Sequence, residues 1–291
     1  MRKKITILCL SALLGGAALA QGLPNPFDVG LGVRAMGFGG AYTALAQGTE
    51  ALLYNPAGLA MTSGLRGDSA YASPMGLYSA TWLAGAMPGL GAGVAFLSAG
   101  RIETPAGDPL AFSHFAAVIG VAAAGEDIPY LGRFLRLPLP TIFGFSLKYD
   151  RVKMATEVGG NVALDLGLLT SVDLALGTVR LGISITDFGA GIGLGERTES
   201  WSTSFVLGAA LVSPVGFIVS ADLALDRFAV GLGWAFGGIE ARAGLSSQGG
   251  VTGLSLGLGV SWQAFVLDYA FTTHPVLGPS HRLSLGVVFG R

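Results

Sequence analysis

The chain has 291 residues, a formal net charge of −1, 47 glycines and only 12% charged residues, with a mean hydropathy of +0.62. That charge fraction is about half the ~25% typical of soluble domains. The balance offers nothing to a nucleic-acid backbone, and the glycine content argues against a helical bundle.

The chain opens with Arg2, Lys3 and Lys4, an apolar run from Ile5 to Leu14, and Ala18-Leu19-Ala20 before Gln21. This is the pattern of a secretory signal peptide over residues 1–20, cleaved after Ala20. The only cysteine, Cys9, lies inside it. The mature chain then carries no thiol, so neither a disulfide framework nor a cysteine metal site is expected. No mature segment reaches the ~18 uninterrupted apolar residues of a spanning helix. The best run, Phe115–Ala124, has ten. An exported, apolar chain without spanning helices points to a closed barrel, because every backbone N–H and C=O must be paired internally in hydrocarbon.

Residues 21–27, with Pro24 and Pro26, read as an extended lead-in. The stretch from Gly30 to Ala60 is the densest run of special residues, and residues 21–64 are read as a plug or hatch placed ahead of a barrel formed by 65–291. Within it, Asn55-Pro56-Ala57-Gly58-Leu59 has the chemistry of a turn. Arg34 is the only charge between Asp28 and Glu50. A plug arginine needs a partner, and Asp165, Asp222 and Asp268 are the candidates across the lumen.

Beyond about residue 65 the period is two. Leu181, Ile183 and Ile185 alternate with Gly182, Ser184 and Thr186; Leu254, Leu256 and Leu258 alternate with Ser255, Gly257 and Gly259. Period two puts the two sets on opposite faces of a strand. The second face holds Gly, Ala, Ser and single charges rather than the Lys and Glu of a wetted exterior. The large apolar set therefore faces outward, as in a membrane barrel.

Fourteen strands are predicted, at 66–74, 76–86, 90–101, 111–123, 141–152, 160–171, 176–187, 201–212, 215–225, 227–236, 238–246, 251–262, 264–273 and 281–290. The fold class is all-β: a transmembrane antiparallel barrel with an N-terminal plug. If both ends are periplasmic, the outer loops lie near 75, 102–110, 153–159, 188–200, 226, 247–250 and 274–280. Outer loops should be the longer set, and the inner stretch 124–140 is the exception. Its mix of Tyr130, Phe134 and leucines with Arg133 and Arg136 suits either the membrane interface or an ordinary long turn. The last strand alternates toward Phe289, which fits recognition by barrel-insertion machinery or simply closure of the wall.

By alternation Lys148, Asp150, Asp165, Arg180, Asp222, Glu240, Arg242, Asp268 and Arg282 face the lumen. On the lipid face near midplane an Arg or Lys would cost ~2–4 kcal/mol. They form either a selectivity lining or a structural network that pairs internally and with the plug. Met36, Phe38, Tyr42, Leu52 and Leu53 are the apolar candidates for ligand contact, with Arg34, Asn55 and Pro56 completing the plug motif.

Catalysis is not expected. Ser113 and His114 are sequence neighbours, so they face opposite sides of a strand and cannot pair directly. His274 and His281 flank a loop and could approach each other, but a metal site needs a third ligand and none is evident. No cofactor is implied.

The segments Gly32-Val-Arg34-Ala-Met-Gly37-Phe-Gly39-Gly40-Ala-Tyr42-Thr-Ala and Ala51-Leu-Leu-Tyr54-Asn55-Pro56-Ala57-Gly58-Leu59-Ala60 resemble the N-terminal signature of the PorV/PorQ family. More distantly they are similar to the FadL/TodX outer-membrane transporters, which share the Asn-Pro-Ala element. The resemblance covers about thirty residues. It implies a 14-stranded barrel of the bacterial outer membrane, in contact with outer-membrane lipid. FadL-like members pass fatty acids or other small hydrophobic molecules through the hatch and a lateral opening; PorV-like members partner secretion or envelope proteins. Two departures stand out: Gln47-Gly48-Thr49-Glu50 replaces an acidic pair, and the long outer loops of the transporters are missing.

Overall fold

The computed structural model describes residues 25–103, 109–129, 139–154, 157–189, 192–194, 197–199 and 202–290. The signal-peptide expectation for 1–20 and the start of the lead-in therefore lie outside the described residues, as does the 130–138 part of the interfacial stretch.

Strands β1 (Leu65–Ser73), β2 (Ser79–Met87), β3 (Leu90–Glu103), β4 (Pro109–Ala124), β5 (Thr141–Met154), β6 (Glu157–Leu174) and β7 (Gly177–Gly189) come first. After a small hairpin of β8 (Ile192–Leu194) and β9 (Arg197–Glu199) come β10 (Ser204–Val212), β11 (Phe217–Leu223), β12 (Arg227–Phe236) and β13 (Ile239–Gln248). The last three are β14 (Val251–Trp262), β15 (Phe265–Thr272) and β16 (Ser280–Phe289). Apart from the β8–β9 hairpin, they form one closed antiparallel barrel in which sequence neighbours pair and β1 closes onto β16, with Leu65 opposite Phe289. The wall has the fourteen strands predicted, each end within three residues of its predicted place: β4 and β6 are longer at both ends, β11 is shorter at both, and β2 and β10 start three residues later. Closure leaves no edge, so each strand's backbone is paired on both sides.

Both ends of the wall, Leu65 and Phe289, lie at one rim, called here the near rim. The connection between β4 and β5 is there, and among the described residues the other near-rim turns are short.

The inversion of faces is direct. Leu181, Leu256 and Leu285 are 47%, 60% and 51% exposed on the outside, whereas Asp222 and Asp268 are 4% and 3% exposed within. Large apolar side chains cover the exterior from Tyr71 to Phe289. Water cannot solvate such a belt cheaply, at ~25 cal/mol per Å²; lipid tails can. Among the described residues no helix is long and apolar enough to cross a membrane.

The interior is filled by residues 25–64. The chain turns at Asn25–Asp28, where the Asn25 side chain accepts the Phe27 N–H at 3.0 Å and the Asp28 N–H reaches the Asn25 carbonyl at 3.0 Å. This corrects the extended reading of residues 25–27: an asparagine that bonds the backbone two residues on makes a turn, and Pro26 tolerates it. Helix α1 (Val33–Gly37) follows; Gly39 and Gly40, at φ +70° and +84°, then reverse the chain in a conformation other residues resist. A 3₁₀ turn at Gly48–Glu50, helix α2 (Ala51–Tyr54) and a 3₁₀ helix at Pro56–Met61 lead to β1.

Glycines of the wall make room for this segment. Gly91, Gly120, Gly144, Gly167, Gly182, Gly208, Gly231, Gly244 and Gly257 occur on nine different strands. A Cβ at any of them would fall 2.0–2.8 Å from an atom of residues 37–59. At Gly144 that atom is the Ala57 amide nitrogen at 2.0 Å, and at Gly244 the Gly39 nitrogen at 2.2 Å. The inner segment is thus seated backbone against wall.

Candidate functional site

The polar ties between the inner segment and the wall define the site. Arg34 donates from Nε and NH2 to both oxygens of Glu240, each at 2.9 Å, and from NH1 to the Tyr42 hydroxyl at 2.8 Å. Its guanidinium also lies 5.6 Å from the Tyr42 ring centroid and 5.8 Å from that of Phe38. The partner is Glu240 rather than Asp165, Asp222 or Asp268. The reason is supply: those three carboxylates are engaged by Lys148, by the inner segment's backbone and by Arg242. Glu240 also stands 3.5 Å from Arg242 Nε, and Arg242 holds Asp268, so Arg34 joins a chain of alternating charge across β13 and β15. Burial alone would lower the Arg34 pKa, but Tyr42, Glu240 and Glu50 outweigh it and raise it well above the ordinary arginine value.

Asp222 accepts three bonds on one oxygen: the Tyr42 and Thr43 N–H groups, both at 3.0 Å, and the Thr43 hydroxyl at 2.7 Å. Asn55 is more than a turn residue. Its oxygen caps the following 3₁₀ helix at the Ala57 N–H, and its amide donates to the Thr43 carbonyl at 3.0 Å and the wall carbonyl of Leu168 at 3.1 Å. One side chain therefore links two parts of the inner segment to β6. Glu50 ties the segment to itself, accepting the Arg34 N–H at 2.9 Å and the Ala35 N–H at 3.3 Å. Burial, and then Asp268, push its carboxyl up to about 7.

A second cluster centres on Lys148, whose ammonium lies 2.9 Å from Asp165 and 2.9 Å from Asp187, and 4.8 Å from the Phe27 ring centroid. Asn25 donates to Asp187 at 3.0 Å. Strict alternation would place Asp187 outside with Ile183 and Ile185. It points inward because β7 carries a bulge: Thr186 and Asp187 together oppose Asp165, and Asp187 sits at φ +61°. Period-two reading cannot see a bulge, although an Asp tolerates that backbone better than most residues. Asp28, beside this cluster, is pushed up to about 6, by burial first and then by Asp187.

Elsewhere in the lumen, His114 contacts Asp150 at 2.8 Å. Arg282 donates to the Thr272 hydroxyl at 2.8 Å and packs against Gly30. Arg180 makes no ion pair among the described residues. The charges predicted to face inward are buried or half-buried there.

The residues proposed for ligand contact are placed differently from one another. Phe38 fills the space over Gly231 and Gly233, Leu52 over Gly91 and Gly120, and Asn55 and Pro56 over Gly167 and Gly144. Phe38, Tyr42, Leu52 and Asn55 are at most 1% exposed; Met36 is half-buried and Leu53 nearly closed. His274 and His281 are occupied separately, His274 by the Val276 and Leu277 N–H groups and His281 by the Tyr269 hydroxyl. Among the described residues no group of three metal-ligating side chains occurs.

No protein-family profile matches the chain, and no curated protein matches it. Solved structures do. The Pseudomonas putida toluene transporter TodX aligns with a TM-score of 0.52 at 12% identity, covering 84% of this chain and 94% of that one. A mutant described as a TodX monoaromatic hydrocarbon channel gives 0.49 at 11% identity, covering 85% and 97%. The KdgM porin gives 0.36 at 7% identity, covering 77% and 99%. The first supports a shared fold, a closed membrane barrel.

Proposed function

We propose that this chain is an outer-membrane channel whose residues 25–64 act as a plug, and that it binds and passes small hydrophobic molecules. The observation that carries the reading is the pairing of an apolar exterior belt with a lumen occupied by a segment held through a few polar ties. Arg34–Glu240, Asp222 and Asn55 are the discrete polar contacts that have to break, along with the packing on the wall glycines, before a path opens along the wall. Met36, half-buried beside Arg282 and Gly30, is the apolar side chain placed to meet a solute. The TodX proteins are named for toluene and monoaromatic hydrocarbons, so toluene and a labelled fatty acid are the first solutes to try. Flux into liposomes loaded with the purified full chain should exceed that into empty liposomes; equal flux refutes the proposal.

One observation favours a second reading, in which the barrel is a non-transporting partner of envelope or secretion proteins, as the PorV/PorQ resemblance implies. The apolar side chains of the inner segment are spent on glycines of the wall rather than on open space. Crosslinking in native membranes separates the two: a stoichiometric large complex supports the partner role, and an isolated barrel refutes it.

A further inference from the structure

The outer wall carries a depression in its apolar belt. It lies near the near rim, spans β4 to β7, and has a cavity volume of about 580 Å³. Phe143, Phe145, Leu166, Leu168 and Ile183 line it, together with Ile128 from the turn after β4. Val121, Phe145 and Leu166 are outward residues, 40–50% exposed. Gly144 and Gly167, which face the inner segment, contribute only backbone to its floor, so the lining is hydrocarbon and paired strand backbone.

The chemistry of the lining selects the occupant. The backbone groups of β4, β5, β6 and β7 are used by their neighbours in the wall, so an extended peptide would find no ladder to join and would bury its own N–H and C=O groups unpaired. A helix is ~10–12 Å across, and three turns of it would displace about 1,500 Å³, well beyond this volume. A flexible alkyl chain needs neither donor nor acceptor, and the volume falls within the ~300–1,000 Å³ of small-molecule sites. The depression is also continuous with the lipid-facing belt, so its supply of such chains is the bilayer itself.

We propose that this groove holds one acyl chain of a phospholipid as a retained lipid, distinct from the freely exchanging shell around the rest of the barrel. The site requires that the barrel stand in a bilayer but not that any solute cross it. Its failure would leave the channel reading intact, and failed solute flux would leave the groove intact.

The test uses the full chain reconstituted into vesicles of phosphatidylethanolamine and phosphatidylglycerol, re-extracted into detergent and weighed by native mass spectrometry. Wild type should carry a species heavier by one phospholipid through repeated detergent exchange. Ala123→Phe, which fills the groove, should lose it, and Ile128→Ala, in a turn where folding is not at stake, should weaken it. Ala241→Phe, on the outer face of β13, should keep it. A wild type that retains no phospholipid overturns the proposal. Equal retention in wild type, A123F and I128A also overturns it, because the lipid would then lie elsewhere.

Discussion

Replacing Arg34 by alanine should loosen the inner segment without opening the wall. The guanidinium makes a two-pronged pair with Glu240 and a third bond to Tyr42, and the side chains of Arg34 and Glu240 are each 18% exposed. Breaking a fully buried pair by removing one partner costs ~3–5 kcal/mol, because the other charge is left uncompensated. Partial exposure, and the Arg242 guanidinium 3.5 Å from Glu240, soften that, so ~2–3 kcal/mol is the working figure. At ~1.4 kcal/mol per decade, the opening constant of the segment rises roughly thirty- to 140-fold. Amide hydrogen exchange reads it directly. The N–H groups of Met36, Gly39 and Asn55, bonded within the segment, should exchange faster by that factor, while amides of β10–β16 away from the contact keep wild-type rates. The Arg34→Ala/Glu240→Ala double variant should exchange more slowly than the two single effects combined predict, since it leaves no orphaned charge. Segment amides within about threefold of wild type in Arg34→Ala, a difference under ~0.7 kcal/mol, would refute the view that this pair seats the segment.

Gly144→Ala and Gly244→Ala should unseat the segment, because the new Cβ would fall 2.0 and 2.2 Å from backbone nitrogen; Gly67→Ala, with 3.9 Å to spare, should not. Ion conductance across planar bilayers separates them, and wild-type conductance in both tight variants would contradict the seating. Lys148→Met leaves Asp165 and Asp187 facing each other unpaired and should cost about 3–5 kcal/mol, read as a lower urea midpoint in micelles; an unchanged midpoint would count against it. The inner segment should seat more firmly as pH falls. Glu50 sits at about 7 when packed against 4.5 when free, and Asp28 at about 6 against 3.8. Between each pair of values the packed state binds more protons, so its stability is greatest at the acid end of the window and declines as pH rises through it. Exchange corrected for intrinsic rates should slow between pH 8 and 5.5, and Glu50→Gln with Asp28→Asn should abolish the trend; a trend of opposite sign would overturn it.

The wall was legible because period-two alternation is a backbone property. Leu254, Leu256 and Leu258 announce an outward face whatever they touch, and closure then follows from the needs of the backbone in lipid. The inward charges follow from the same parity, with Asp187 the exception that a bulge produced. Pairing was less accessible. Which carboxylate Arg34 meets depends on shear around the barrel and on which others are already engaged, and neither leaves a local trace. The glycines were visible as small residues on the inner face. That they mark where another stretch of backbone presses against the wall is a long-range fact, and a glycine beside a void and one beside Ala57 look alike in sequence.

The contact of residues 37–59 with glycines on nine strands, from Gly91 in β3 to Gly257 in β14, bears on the order of assembly. A segment touching that much of the circumference at under 3 Å from any added carbon cannot be threaded through a finished ring with its side chains already in place. The expectation is that Leu65 pairs with Phe289 only once the first part of the chain is wrapped, with the enclosed segment as the former on which the cylinder is wound.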